Sequence, residues 1–101
     1  MYEFRELIGY IWQILMDAKE LAEEALENKT DNPDLAAVYY HVASNHVTDA
    51  DMLMKQAESC LAKAEKAQHE DFDSMDVLWS ADHKRLIKQM GVVKVYMDMY
   101  R

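Results

Sequence analysis

Apolar residues recur along this chain at alternating intervals of three and four, which is the period of an amphipathic α-helix. The pattern breaks strongly at KTDNPDL and more softly at HEDFDSMD. At the first break Asp31 or Asn32 can cap a helix whose first residue is Pro33, where a missing N–H costs nothing. The pattern therefore predicts one domain, residues 1–101, with helices over about 3–28, 33–69 and 73–100.

Each predicted helix carries one apolar stripe when its residues are placed at steps of about 100°. The first stripe comprises Leu7, Ile11, Ile14, Ala18, Leu21, Ala22 and Ala25. The second comprises Leu35, Tyr39, Val42, His46, Asp49, Leu53, Ala57, Cys60, Ala64 and Ala67. The third comprises Met75, Leu78, Asp82, Leu86, Val93, Tyr96 and Tyr100, flanked by Trp79, Met90 and Met97. Short connections and these spacings predict an all-α, up-down-up three-helix bundle.

The composition agrees with a helical protein and sets the sign of its surface charge. Two glycines and one proline in 101 residues are too few for a turn-rich β fold. The net charge of −8 argues against a nucleic-acid partner, because phosphate binders carry a basic surface. The single cysteine, the acidic N-terminus and the short apolar runs predict a cytoplasmic protein without a membrane partner.

A second apolar surface is predicted beside the stripes. Trp12 and Met16 lie opposite the main stripe of the first helix, and Tyr40, Val47 and Met54 flank that of the second. Three helices do not easily cover both sides of the first one, and Trp, Tyr and Met are enriched at interfaces. We therefore expect a homodimer that uses these five residues.

His46 and Asp49 lie one turn apart within the second stripe, at positions where hydrophobic residues are expected. A buried carboxylate needs a partner, a proton or a metal. An imidazole and a carboxylate at i, i+3 point to one place, and Asp17 lies level with residue 46 across the turn, so Fe, Mn or Zn ligation is one hypothesis. The alternative is a hydrogen-bonded pair that sets the helix register.

Asp82 also interrupts a stripe, but it lies in a different layer of the predicted bundle. Pairing the third helix back on the second sets residue 82 opposite about residue 59, roughly 15 Å from Asp49. Arg5 and Arg85 are therefore its expected partners. No nucleophile elbow, phosphate loop, CxxC or HExxH motif occurs, so no catalytic residue is assigned.

Four glutamates on the first helix allow a further hypothesis, capture of a basic partner. These are Glu20, Glu23, Glu24 and Glu27. Such a run is ordinarily the solvated face of a helix.

The runs YYHVASNHVTDADMLMKQAE and WSADHKRLIKQMGVVKVYMDMYR resemble small helical proteins of phages and prophages. The arrangement is also distantly similar to ferritin-like proteins, whose helices carry Glu-x-x-His. Here the order is reversed, His46-x-x-Asp49, with Asp in place of Glu. The resulting prediction is a self-associating protein that acts through protein contacts. The alternative is a ferritin-like metal-binding protein.

Overall fold

The computed structural model describes residues 2–101, which form three α-helices joined by two short turns. This confirms the predicted all-α three-helix bundle. The helices are α1 (Tyr2–Asn28), α2 (Pro33–Lys66) and α3 (Phe72–Tyr100). The described residues occupy a rod of 55 × 19 × 18 Å. The 34 residues of α2 account for about 51 Å of that length at 1.5 Å per residue, so the helices lie side by side along one axis.

Contacts between the helices establish the up-down-up order. Phe4 meets Trp79 edge to face near the starts of α1 and α3, so these two helices run parallel. Tyr40, near the start of α2, stacks on Tyr100 at the end of α3, so α2 and α3 run antiparallel. Connections of a few residues leave no other path for the chain.

The helix ends follow local chemistry. The Asn32 side chain accepts a hydrogen bond from the Leu35 amide at 3.4 Å, and Pro33 begins α2, as predicted. At the other end α2 stops at Lys66, three residues before the predicted end. Gln68 adopts a left-handed φ of 54°, and the His69 amide donates to the Ala64 carbonyl at 2.9 Å. This is a Schellman ending, which glycine usually marks; its absence hid the end from the sequence pattern.

The buried face of α1 follows an unbroken alternation of four and three residues, as in a coiled coil. Seven buried positions follow this alternation, namely Phe4, Ile8, Ile11, Leu15, Ala18, Ala22 and Ala25, and Ile14 is buried beside them. This helix is central, because α2 packs along one side of it and α3 along the other. Both flanks of the buried stripe of α1 therefore contact another helix of the same chain, while the outer face of α1 stays exposed.

The predicted stripe of α2 is out of phase by about one residue over most of its length. The buried positions are Ala36, Ala43, Ala50, Met54, Ala57 and Leu61. Leu35, Asp49 and Cys60, which the prediction placed inside, are exposed. Alanine carries little hydrophobic weight in a periodicity analysis, yet its small side chain permits the closest approach to α1. In α3, Trp79, Met90 and Met97 are likewise buried core residues and not a flank.

The core has two parts that differ in side-chain size. The large-residue half lies at the starts of α1 and α3 and includes Ile11, Leu15, Trp79 and Leu86. The alanine half lies at the end with the α1–α2 turn and consists of Ala18, Ala22, Ala43, Val93 and Met97. Half-buried Val47 packs against both, so the two parts are continuous.

Candidate functional site

The outer edge between α1 and α2 forms a groove of about 470 Å³ with carboxylates along one wall. We name it the acidic groove; it is lined by Asp17, Glu20, Leu21, Glu23, Glu24, Glu27, Val42 and His46. Leu21 and Val42 are half-buried and supply its apolar lining. The acids lie on successive turns of α1 because they recur at intervals of three and four residues. The groove therefore combines an apolar lining with a strongly negative wall.

His46 belongs to this groove. Its side chain is half-buried, and Nδ1 lies 3.0 Å from the Val42 carbonyl oxygen one turn earlier. Because a carbonyl oxygen only accepts, Nδ1 donates this hydrogen bond. Asp17 lines the same groove and accepts a hydrogen bond from the Gln13 amide group at 3.0 Å. Asp17 and His46 thus line one groove, as their predicted level pairing across the turn requires.

Asp49 does not join them, which corrects the predicted burial of the His46 and Asp49 pair. Its side chain is exposed and lines a separate apolar depression with Tyr10, Ile14, Met52, Leu53 and Gln56. Within residues 2–101 no group of three or more His, Cys, Asp or Glu side chains is placed to hold a metal ion. The predicted Fe, Mn or Zn site depended on a buried Asp49 carboxylate. In the structure α2 turns this carboxylate outward, so it needs no metal ion to compensate for burial.

Asp82 occupies the layer predicted for it. The neighbouring His83 lies 3.8 Å from the Glu58 carboxylate, so this part of α3 is level with residues 58 and 59 of α2. Asp82 forms an ion pair with Arg85 at 3.2 Å, one of its two predicted partners. Its role is local to α3.

The residues predicted to form a dimer interface make contacts within the monomer. The Arg85 guanidinium sits 4.4 Å from the centre of the Trp12 ring, and the Gln89 amide donates to the Met16 sulfur at 3.4 Å. Both α1 residues are thus covered by α3. α3 therefore covers part of the side of α1 that was expected to stay open, and Trp12 and Met16 remain half-exposed.

The three α2 residues of that predicted interface are also engaged within the chain. Met54 is only 3% exposed, which excludes it from an interface between copies. Tyr40 stacks on Tyr100 with ring centres 4.6 Å apart. Val47 packs against the core. Tyr40 and Val47 keep part of their surface exposed, so the homodimer stays a prediction.

The sequence analysis missed a basic stripe on the outer side of α3. We name it the lysine ridge; it comprises Lys84, Ile87, Lys88, Gly91, Lys94 and Val95, all exposed. These residues recur at intervals of three and four and therefore share one face. The detectable signal was the absence of any acidic residue between Asp82 and Asp98 in a chain of net charge −8.

No family model, curated protein or solved structure matches this chain. None of α1, α2 and α3, as far as the structure describes them, has the length and apolar character that crossing a bilayer requires. The resemblances to phage proteins and to ferritin-like proteins stay predictions from the sequence.

Proposed function

We infer that this protein is a self-associating helical module that acts through contacts between protein surfaces. The observation that carries this inference is a set of large apolar side chains that stay between 37% and 70% exposed although the helices are fully packed together. They are Tyr10, Leu35, Val38, Met52, Val77, Ile87, Val95 and Met99.

The grouping of these side chains supports the proposal more than their number does. Single exposed apolar residues are ordinary, whereas grouped ones mark partner surfaces. Tyr10 and Met52 share the apolar depression directly beside the acidic groove, and together these two features form the α1/α2 face. Ile87 and Val95 lie on the lysine ridge. Two separate outer surfaces therefore combine exposed apolar area with unbalanced charge.

Sedimentation of the wild-type chain over about 10 μM to about 1 mM, where weak contacts become populated, tests the proposal. We expect the apparent mass to rise with concentration above that of one chain. Substituting Tyr10, Met52, Ile87 and Val95 by serine removes apolar area from both surfaces and should return the protein to monomer. A strict monomer at every wild-type concentration would remove the proposal.

The matched control is a variant with Val77→Ser and Met99→Ser. These two residues are at least as exposed as the substituted ones, and they lie on α3 beyond the two ends of the lysine ridge. We expect this variant to associate like the wild type. Unchanged far-ultraviolet circular dichroism in both variants establishes that the helices are intact.

A further inference from the structure

We propose that one copy of this chain binds the next by inserting its lysine ridge into the acidic groove of its neighbour. The proposal rests on the self-association proposed above and specifies which surfaces meet. It makes the contact heterologous, so that each copy offers a ridge on one side and a groove on the other.

The acidic groove and the lysine ridge carry charges of opposite sign. The groove wall carries Asp17 and four glutamates. Lys19 is the only basic residue between positions 17 and 27, and its Nζ lies 3.8 Å from a carboxylate oxygen of Glu23. On the ridge Lys84, Lys88 and Lys94 form no ion pair with any residue of the range 2–101. Their charges are thus left for an external partner, and the neighbouring groove supplies the opposite sign.

Dimensions and apolar content also correspond. Asp17 and Glu27 are ten residues apart on α1, and Lys84 and Lys94 are ten residues apart on α3. Each set therefore spans about 15 Å along its helix. Ile87 and Val95 stand among the lysines, while half-buried Leu21 and Val42 line the groove between its walls. A docked ridge would set apolar side chains against apolar side chains and lysines against acids.

Gly91 lies at the middle of the ridge; Gly9 of α1, which belongs to neither surface, is equally free of close neighbours. Glycine within a helix costs about 1 kcal/mol relative to alanine. Nothing lies within 4 Å of the place where a Cβ would stand on Gly91, so packing within the monomer does not require glycine there. A missing side chain at the centre of an exposed stripe lets a second backbone come close. This is the position at which the groove of the next copy would press.

The geometry of a three-helix bundle determines the kind of assembly. The outer edge between α1 and α2 lies opposite α3, so groove and ridge face away from each other in one molecule. Contact between unlike surfaces is not closed by a two-fold axis and generates rings or open chains. We therefore expect a series of masses that grows with concentration and not a single dimer.

Charge reversal tests the proposal. The ridge variant carries K84E, K88E and K94E, and the groove variant carries E20K, E24K and E27K. We expect each variant alone to associate at least about tenfold more weakly than wild type, because like charges would meet at every contact. An equimolar mixture should associate again, since the basic ridge of one variant meets the acidic groove of the other.

The matched control is K55E, K63E and K66E, which changes the net charge equally on exposed lysines of α2 that lie outside both surfaces. It should associate like wild type. A ridge variant that associates as well as wild type, or a mixture that stays monomeric, overturns the proposal. A two-fold contact between two α1/α2 faces would give the first of these results. If the wild-type chain itself never associates, that result contradicts the proposed self-association and not only the pairing of ridge with groove.

Salt gives a second measurement. Raising the ionic strength from about 0.1 M to about 1 M shortens the screening length from about 10 Å to about 3 Å. Wild-type association should weaken accordingly. Association that strengthens with salt would show that apolar contact alone drives it and would overturn the role of the lysines.

Discussion

The two halves of the core stabilise the same bundle by different means. In the large-residue half, Ile11, Leu15 and Leu86 are fully buried and fill the space between the helices with their own volume. In the alanine half, Ala18, Ala22 and Ala43 are equally buried but fill almost no volume. We therefore expect the helix axes to lie closer together there, because interaxial distance depends on the side chains at the contact.

Four side chains join the helices at the end of the alanine half. Tyr40 and Tyr100 stack, the Arg101 Nε donates to the Tyr40 hydroxyl at 2.6 Å, and Lys29 lies 5.4 Å from the centre of the Tyr100 ring. We name these four residues the terminal clasp. It joins the start of α2 to the end of α3 where core side chains are smallest. Equally buried residues of the two halves should therefore differ in how much a substitution changes the free energy of unfolding.

Removing volume from the large-residue half should have the largest effect. Leu15→Ala deletes a fully buried side chain and is expected to lower the free energy of unfolding by about 2–5 kcal/mol. Urea unfolding followed by circular dichroism measures it. Leu35→Ala, the same substitution at an exposed position of α2, is the control and should cost under about 1 kcal/mol. Equal losses at both sites would contradict the assigned core.

Adding volume to the alanine half should have the next largest effect. Ala43→Leu has no room against α1 and is expected to destabilise the protein by about 1–3 kcal/mol. Ala37→Leu, on the exposed side of α2, should be nearly neutral. If Ala43→Leu proves stabilising, the helices are not in close contact there and the contrast between the halves disappears.

The turn at the end of the large-residue half should tolerate improvement. Gln68 holds a left-handed conformation, which glycine adopts without steric cost, so Gln68→Gly is expected to stabilise the protein by up to about 1 kcal/mol. Gln56→Gly, within α2, should instead destabilise it by about 1 kcal/mol. Thermal unfolding of the two variants distinguishes the signs. A loss of stability in both would count against the left-handed turn.

The terminal clasp should give the smallest effect. Tyr40→Phe keeps the stacked ring but removes the acceptor for Arg101, so we expect faster amide exchange in the last turn of α3 with no measurable shift of the unfolding midpoint. Tyr39→Phe is the control and should leave that exchange unchanged. Slower or unaltered exchange in Tyr40→Phe would show that the clasp does not hold the end of α3.

The clasp is expected to be independent of pH in the ordinary range. The hydrogen bond to the Tyr40 hydroxyl, followed by the charge interaction with it, raises the pKa of Arg101. A group whose pKa is raised on folding contributes its stabilisation at every pH below its unfolded-state pKa, which for arginine lies far above the ordinary range. The stabilisation is lost only as the pH rises through the folded-state pKa. Amide exchange rates of the last turn, corrected for intrinsic pH dependence, should therefore agree between about pH 6 and 8. A marked difference would implicate another titrating group.

The candidate surfaces were only partly accessible from the sequence. The acids of the groove were noticed, and the level pairing of Asp17 with His46 followed from antiparallel packing across a short turn. The buried metal pair was wrong because it depended on the phase of α2, where a shift of one residue rotates each side chain by about 100°. The lysine ridge was not predicted because the net charge of −8 does not report where along the chain the basic residues lie.

The sequence by itself determined the number of helices, their approximate ends and their order, because periodicity, the Asn32 cap and Pro33 act locally. Only the tertiary structure decided which side of α2 faces inward, since alanines that score weakly alone become core once α1 lies against them. It also decided that α1 is central, with Trp12 and Met16 beneath α3. These outcomes depend on how three amphipathic helices share one interior, and no single segment contains that information.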